Sequence, residues 1–355
     1  MDGLRYGIFH ELEVRGRTQE VEVEAFHHVL DQVELADRLG YESSWFPEHH
    51  FTRGFAHSSA NDLLLAGISQ RTERIRLGLG VVLLPFSHPV QTVERVATLD
   101  VISRGRVEFG TGRGASPLEY QAFKRPFEQS REIWEEHLDA VLEIMAADGK
   151  EVTIEGKFFD VPGVSVLPRV IQKPSPPVWV ASTSLDGFIA AAERGLNLLC
   201  MPILKGIDAL AEDVAIYKKT LAEHGFDPAE KRVGMMVPWH VALTQEEADE
   251  AADAMLWYIR RQVNLVAPPD YMDAQHATYK VFGQLAAGLS PERSMDLLRE
   301  NLMVMLADIE GSRQAVKRVA EAGATDLICQ FQVGGLDHER VVRSMRLFAS
   351  EVVQL

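Results

Sequence analysis

Two adjacent histidines, His49 and His50, follow the carboxylate of Glu48 directly after a short apolar segment. An imidazole changes charge near neutral pH, so either ring could act as a general acid or base or bind a metal ion. In a solvated loop the same two residues would have no chemical role. The pattern therefore leaves an acid–base group, a metal site and an exposed loop as its three interpretations.

A second candidate site is the glycine-rich run at residues 109–114, which reads FGTGRG. Glycines let the backbone approach an anion closely, and Arg113 offers a two-pronged donor for phosphate. With Ala115 the run also fits the loose G-x-G-x-x-A fingerprint of dinucleotide sites, but it lies in the fourth strand–helix unit instead of the first. It is therefore either a phosphate site, with Thr111 and Arg113 as binding residues, or a turn that packs a strand against a helix.

Hydroxyl groups at the start of a later helix form the third candidate. Ser182 and Thr183 precede an apolar segment, and Thr183 stands three residues before Asp186, the spacing of a capping box. A helix N-terminus with hydroxyl groups is equally suited to bind an anion. If Arg113 lies on the neighbouring loop, the two segments could bind one phosphate together.

The elements that position these residues form one continuous series of eight strand–helix units. An uninterrupted alternation of this length favours a (β/α)8 TIM barrel over a doubly wound sheet, and it predicts one domain spanning residues 1–355. Two insertions interrupt the series, at about 150–177, where five prolines occur, and at about 264–305, where no clear strand is seen. In a barrel, reactive groups gather at the C-terminal ends of the strands, which is where all three candidates fall. The predicted strands lie at residues 4–9, 41–46, 75–84, 106–110, 178–181, 196–201, 233–243 and 326–332.

A metal-dependent hydrolase is the alternative that the histidines keep open. Against it, the fifth and sixth predicted strands end without a histidine or a carboxylate, and the H-x-H pair common after the first strand of such hydrolases is missing. We therefore predict no metal site. The histidines that could supply ligands are His10, His49, His50, His88 and His240.

The amino-acid composition limits which kinds of molecule the protein is expected to bind. The 355 residues contain 36 Lys and Arg against 52 Asp and Glu, a formal net charge of −16 that opposes binding to nucleic acid or to an anionic membrane. No apolar run approaches the roughly 20 residues that span a bilayer, and the first residues lack a secretory signal pattern. We expect a cytoplasmic protein, and its two cysteines are too few for a disulfide framework.

Four segments of the chain together resemble the bacterial luciferase-like flavin monooxygenases. They are residues 46–52 (FPEHHFT), 82–89 (VLLPFSHP), 105–110 (GRVEFG, followed by Arg113 and Gly114) and 344–348 (SMRLF). The likeness runs from Leu4 to about Val353. It implies a barrel that binds reduced FMN supplied by a separate NAD(P)H-dependent flavin reductase. Oxygen would add at the flavin C4a position, and the peroxyflavin would oxidise a carbonyl or similar apolar substrate.

The resemblance also implies roles for single residues and an assembly. His49 takes the position of an acid–base histidine near the flavin, with His50 beside it. Gly80 and Val81 take the position of a bulge in the third strand that supports the flavin ring, often through a non-proline cis peptide. Arg113 with Ser182 and Thr183 matches phosphate-binding positions, and a homodimer or higher homo-oligomer is expected.

Three departures from the light-emitting members point away from luminescence. Gly112 stands where they carry a cysteine, Ser182 where their phosphate loop carries an acid, and Met201 with Pro202 where they have a polar–aromatic pair. We therefore expect a monooxygenase that emits no light, with residues 264–305 as a lid that excludes water. The alternatives are a deazaflavin-dependent oxidoreductase of the same superfamily, a non-catalytic flavin-binding barrel and, outside the family, a metal-dependent hydrolase.

Overall fold

Eight parallel strands close into a barrel in the computed structural model, which describes residues 3–16, 18–265 and 294–355. Around the barrel the strands follow the order β9, β11, β1, β2, β3, β4, β7 and β8, and β8 pairs with β9 to close the ring. The (β/α)8 TIM barrel predicted from the sequence is confirmed. The strands are β1 Arg5–Phe9, β2 Ser43–Phe46, β3 Arg76–Leu83, β4 Val107–Gly112, β5 Glu151–Ile154, β6 Val161–Ser165, β7 Val178–Ala181, β8 Asn197–Cys200, β9 Val233–Val241, β10 Met305–Ala307 and β11 Asp326–Gln330.

Helices alternate with the barrel strands and cover the outside of the barrel. The first shows how the sequence sets their limits, because Thr18 caps its N-terminus and Gly40, at φ 94°, ends it just before β2. Its buried face includes Val29 and Val33 at helical spacing. The described helices are α1 Gln19–Leu39, α2 Asn61–Ser69, α3 Pro89–Ile102, α4 Pro117–Ala122, α5 Ser130–Ala146, α6 Leu185–Glu193, α7 Gly206–Glu223, α8 Gln245–Asp249, α9 Ala252–Leu265, α10 Ser294–Glu300, α11 Ile309–Glu321 and α12 His338–Leu347.

The two insertions differ from each other. The first contains β5 and β6, which pair as an antiparallel hairpin outside the barrel. Most of the second, residues 266–293, lies outside the described residues, and with it the expected lid. The expectation of no strand there is wrong at its last residue, because β10 begins at Met305. The reason is that β9 is longer than its partners, so β10 pairs with its last three residues, which β11 does not reach.

Charged side chains fill the N-terminal end of the barrel. The buried carboxylate of Glu108 contacts Arg76 and Arg232, and it accepts a hydrogen bond of 2.6 Å from Trp179 Nε1. Asp326 pairs with Arg232 and with Arg5. Because these paired side chains fill the end where the strands begin, the open end of the barrel is the C-terminal one. Among the described residues, no helix is both long and apolar enough to span a membrane.

Candidate active site

A cavity of about 270 Å³ lies at the C-terminal ends of the strands, and every barrel strand contributes to its lining. Its floor is apolar and is formed by Phe9 of β1, Trp45 of β2, Met236 of β9 and Ile328 of β11. The Trp45 ring packs edge-on against Trp179, which lies beneath the floor, at 5.4 Å between ring centroids. The predicted site residues that line this cavity are His49, Gly80, Val81, Arg113, Ser182 and Thr183.

A buried carboxylate holds the loop that carries His49. Glu119 of α4 is 1% exposed, and its Oε1 accepts a hydrogen bond of 2.9 Å from the backbone N–H of His50. The same oxygen lies 3.5 Å from His49 Nδ1, an ion-pair distance without a well-aligned hydrogen bond. Burial alone would lower the pKa of His49, but the carboxylates of Glu119, Glu11 and Glu48 raise it above its usual value. The imidazole is therefore placed to hold a proton at the cavity wall.

His50 does not line the cavity. Its Nε2 lies 3.0 Å from Glu48 Oε1, and its ring packs against Phe123 at 4.9 Å between centroids. The other oxygen of Glu48 accepts a hydrogen bond of 3.0 Å from the backbone N–H of Leu83, close to the C-terminal end of β3. Glu48 thus connects the His50 ring to β3, and a catalytic role for His50 stays a prediction.

Strand β3 carries the bulge that the resemblance implied. The peptide bond between Gly80 and Val81 is cis, and the register between β3 and β4 shifts between Leu79 and Val82. The carbonyl of Val81 accepts a hydrogen bond of 3.2 Å from Asn61 Nδ2. Across the cavity wall, a Cβ on Gly112 would lie 2.7 Å from Val81 Cγ2, so the missing side chain leaves the space that Val81 fills. Contact between this bulge and a flavin stays a prediction.

Arg113 and the segment before α6 come together on the same cavity, as the barrel predicted. Arg113 Nη1 donates a hydrogen bond of 3.0 Å to Ser130 Oγ, and its guanidinium carbon lies 5.9 Å from the centre of the Phe127 ring. These contacts fix the guanidinium at the cavity wall. A phosphate held there would meet a charge that is always present, since the guanidinium does not lose its proton.

The cap of α6 is Ser184 and not Thr183, so the capping box predicted between Thr183 and Asp186 is wrong by one residue. Ser184 Oγ accepts a hydrogen bond of 3.4 Å from the N–H of Gly187. Ser182 Oγ in turn accepts a hydrogen bond of 3.1 Å from the N–H of Ser184. A Cβ on Gly187 would lie 2.1 Å from Ser182 Oγ, so this hydroxyl depends on the glycine.

Thr111 points away from the cavity. It is fully buried, and its Oγ1 accepts a hydrogen bond of 3.2 Å from Trp134 Nε1 of α5. Successive residues of a strand face opposite sides, and Gly112 is the one that lines the cavity. The structure therefore places Thr111 between β4 and α5, where it holds the helix on the barrel.

A hydrogen-bonded pair of polar side chains on the cavity wall, Glu11 and Gln262, was missing from the predicted site residues. Glu11, directly after β1, is 2% exposed, and its Oε1 accepts a hydrogen bond of 3.0 Å from Gln262 Nε2 of α9. Burial raises the pKa of Glu11 to about 7, while His49 and the bond from Gln262 oppose part of that rise. The position of Glu11 after the first strand was the signal that could have found it. Gln262 gave no such signal, because it is 251 residues away.

The histidines that a hydrolase would need have other contacts. His10 Nε2 lies 3.0 Å from Gln32 Oε1, and His88 caps α3. Burial lowers the pKa of His240 to about 4. Over residues 3–16, 18–265 and 294–355, no group of three or more His, Cys, Asp or Glu side chains is arranged to hold a metal ion.

Comparison with known proteins agrees with this fold. The family profile described as luciferase-like monooxygenase matches residues 4–326. The oxygenase component of a flavin-dependent trigonelline monooxygenase of Acinetobacter baylyi is 27% identical over 290 residues, covering 78% of this chain and 79% of that protein. Limonene 1,2-monooxygenase of Rhodococcus erythropolis is 33% identical over 251 residues, covering 69% of this chain and 62% of that protein.

Solved structures show the same barrel. Monooxygenase RslO1 from Streptomyces bottropensis matches with a TM-score of 0.84 at 25% identity, covering 99% of both chains. The oxygenating constituent of 3,6-diketocamphane monooxygenase from Pseudomonas putida, in complex with FMN, matches with a TM-score of 0.80 at 20% identity, covering 99% of this chain and 98% of that one. An F420-dependent secondary alcohol dehydrogenase gives 0.76 at 18% identity, with 99% and 98% covered. At these identities the last two likenesses show the fold alone.

A parallel barrel whose C-terminal cavity joins a histidine, an arginine and hydroxyl groups is the arrangement of a TIM-barrel enzyme. The family profile that matches residues 4–326 identifies which class of TIM-barrel enzyme this chain is. The chain belongs to the luciferase-like monooxygenase family.

Proposed function

We propose that this protein is the oxygenase of a two-component system that uses reduced FMN and dioxygen to oxidise a small apolar organic substrate. The observation that carries the proposal is one cavity that joins Arg113, Ser182 and Thr183 to His49 and to the bulge at Val81. Bound reduced FMN would supply the electrons that let dioxygen insert one oxygen atom into the substrate. The name of the trigonelline relative, an oxygenase component, supports a separate flavin reductase as partner.

The residues present fit such a cofactor. The guanidinium of Arg113 and the hydroxyls of Ser182 and Thr183 are donors suited to a phosphate. The bulge at Gly80 and Val81 offers an apolar support for a flat ring, and Gly112 leaves room for the Val81 side chain.

The chain's own part in the reaction is binding, water exclusion and proton transfer. The apolar floor of Phe9, Trp45 and Met236 excludes water from the reacting atoms. His49, held by Glu119, holds or moves one proton at its imidazole.

Anaerobic titration with reduced FMN, followed by isotopically labelled dioxygen and a screen of aldehydes, cyclic ketones and sulfonates, tests the proposal. We expect binding of reduced FMN and one labelled oxygen atom in the product. Tight binding without a labelled product would favour a non-catalytic flavin-binding barrel. Preference for a reduced deazaflavin, with hydride transfer and no oxygen consumption, would favour the deazaflavin alternative. Stoichiometric zinc or manganese without flavin binding would favour a hydrolase.

Three further properties belong to the same proposal. Gly112 carries no thiol, and this supports a monooxygenase that emits no light. We also propose a single-domain protein that works in the cytoplasm as a homodimer or higher homo-oligomer. Analytical ultracentrifugation of the purified protein tests the oligomeric state.

A further inference from the structure

Glu11 is a buried carboxyl group at the cavity that the proposed mechanism does not use. It lines the cavity beside the loop of His49, because β1 and β2 are neighbours and pair at Phe9 and Trp45. Gln262 donates to its Oε1, whereas its Oε2 is buried and has no hydrogen-bond partner among the residues that the structure describes. A buried polar atom without a partner is costly, so its presence needs an explanation.

Burial favours the protonated form of this group. It raises the pKa of Glu11 to about 7, against an ordinary value of 4.5. The titratable groups that act on Glu11 or feel its charge are His49, Glu13 on its own segment and Tyr258 on α9. Of these, only the imidazole favours the ionised carboxylate, since Glu13 and Tyr258 carry no positive charge.

We propose that Glu11 anchors the substrate by donating a hydrogen bond, from its protonated carboxyl group, to an oxygen atom of a neutral molecule. A protonated carboxyl has one O–H to donate, and the bond from Gln262 already uses its other oxygen as acceptor. The proposal rests on the proposed function, since it takes the cavity to be where substrate is oxidised.

The lining around Glu11 selects the charge of the occupant. The floor beneath Glu11 is apolar and is formed by Phe9 and Trp45. A charged molecule over this floor would lie in an environment that solvates charge poorly. Next to Glu11 the structure therefore favours a compact apolar molecule with one oxygen acceptor over a charged molecule of the same size.

Three probes of one carbon skeleton test this preference: cyclohexanone, cyclohexanecarboxylate and cyclohexylammonium. Dissociation constants come from saturation-transfer NMR titrations of the full chain, with and without oxidised FMN. We expect the ketone to bind most tightly. Its affinity should fall about tenfold from about pH 6 to about pH 8, because the binding-competent protonated fraction falls by about that factor.

Glu11→Gln isolates the group from His49, whose pKa is raised above its usual value by the neighbouring carboxylates. The amide keeps a donor and an acceptor but does not ionise, so ketone binding should persist and lose its pH dependence. Glu13→Gln is the matched control, because Glu13 is also a buried carboxyl group but does not line the cavity. This control should keep the pH dependence of the wild type.

Several outcomes would overturn the proposal. They are an unchanged pH dependence in Glu11→Gln, tighter binding of either charged probe than of the ketone, and no binding of any probe. Infrared difference spectra of the wild type and Glu11→Gln add a second measurement. A protonated carboxyl band that the variant lacks must disappear from the wild type as the pH rises through about 7, and its absence at about pH 6 also refutes the proposal. Failure of FMN to bind, with ketone titrations as expected, would refute the proposed function and leave this inference standing.

Discussion

Replacing Glu11 with glutamine should change how the stability of the protein depends on pH. The folded protein binds the Glu11 proton more tightly than the unfolded chain, because burial raises its pKa from 4.5 to about 7. The stability that this proton contributes is complete below about pH 4.5 and is lost as the pH rises through about 7. A tenfold change in the acid dissociation constant corresponds to about 1.4 kcal/mol. The free energy of unfolding of the wild type therefore falls by about 3 kcal/mol as Glu11 ionises.

Urea unfolding of Glu11→Gln and wild type across this range measures the effect. The free energy of unfolding of the variant, relative to wild type, should rise by up to about 3 kcal/mol between about pH 4 and about pH 8, since the amide does not ionise. Glu155→Gln, at an exposed position, controls for the loss of one formal charge and should show no such rise. Parallel curves for wild type and Glu11→Gln over the whole range would show that the carboxyl ionises as freely in the folded protein as in the unfolded chain.

Three other substitutions test the site and the barrel. Arg113→Ala should weaken FMN binding by about 10- to 100-fold more than riboflavin binding in a fluorescence titration, because a charged hydrogen bond of about 1.5–3 kcal/mol to phosphate is lost. Equal losses for both ligands would separate Arg113 from the phosphate. His49→Ala should leave FMN affinity intact and lower the rate of substrate oxidation by about 10²–10⁴-fold, and unchanged turnover would remove His49 from the mechanism. Glu108→Gln should lower the free energy of unfolding by about 3–5 kcal/mol, because Arg76 and Arg232 lose a buried partner. A urea-unfolding difference below about 1 kcal/mol would contradict that reading of the network.

The barrel could be predicted because each of its strands is an apolar run flanked by a helical pattern. Where the predicted end of a strand was wrong, the sequence could not predict which side of the strand a residue faces. Strand β4 runs to Gly112 and not to Gly110, so Thr111 is still inside the strand and faces α5. The same limit applies at α6, where a shift of one residue makes Ser184 the cap.

Long-range contacts set a second limit on prediction. The position of Glu11 follows from the barrel, but its raised pKa comes from burial beneath α9, and Gln262 of that helix opposes part of the rise. Nothing near Glu11 in the chain indicates that helix. The residues next to His49 in the sequence indicated an acid–base or metal-binding role. The carboxylate that contacts His49, Glu119, lies on a helix two strands later.

The charged network that fills one end of the barrel has a kinetic consequence. With Glu108, Arg232 and Asp326 filling the N-terminal end, molecules reach the cavity floor from the C-terminal side. In the proposed reaction, cofactor, substrate and product would all enter and leave on this side of the barrel, so the departure of one would precede the entry of the next. A product that leaves slowly delays the next cofactor, so the turnover rate should depend on product release as much as on the oxidation step.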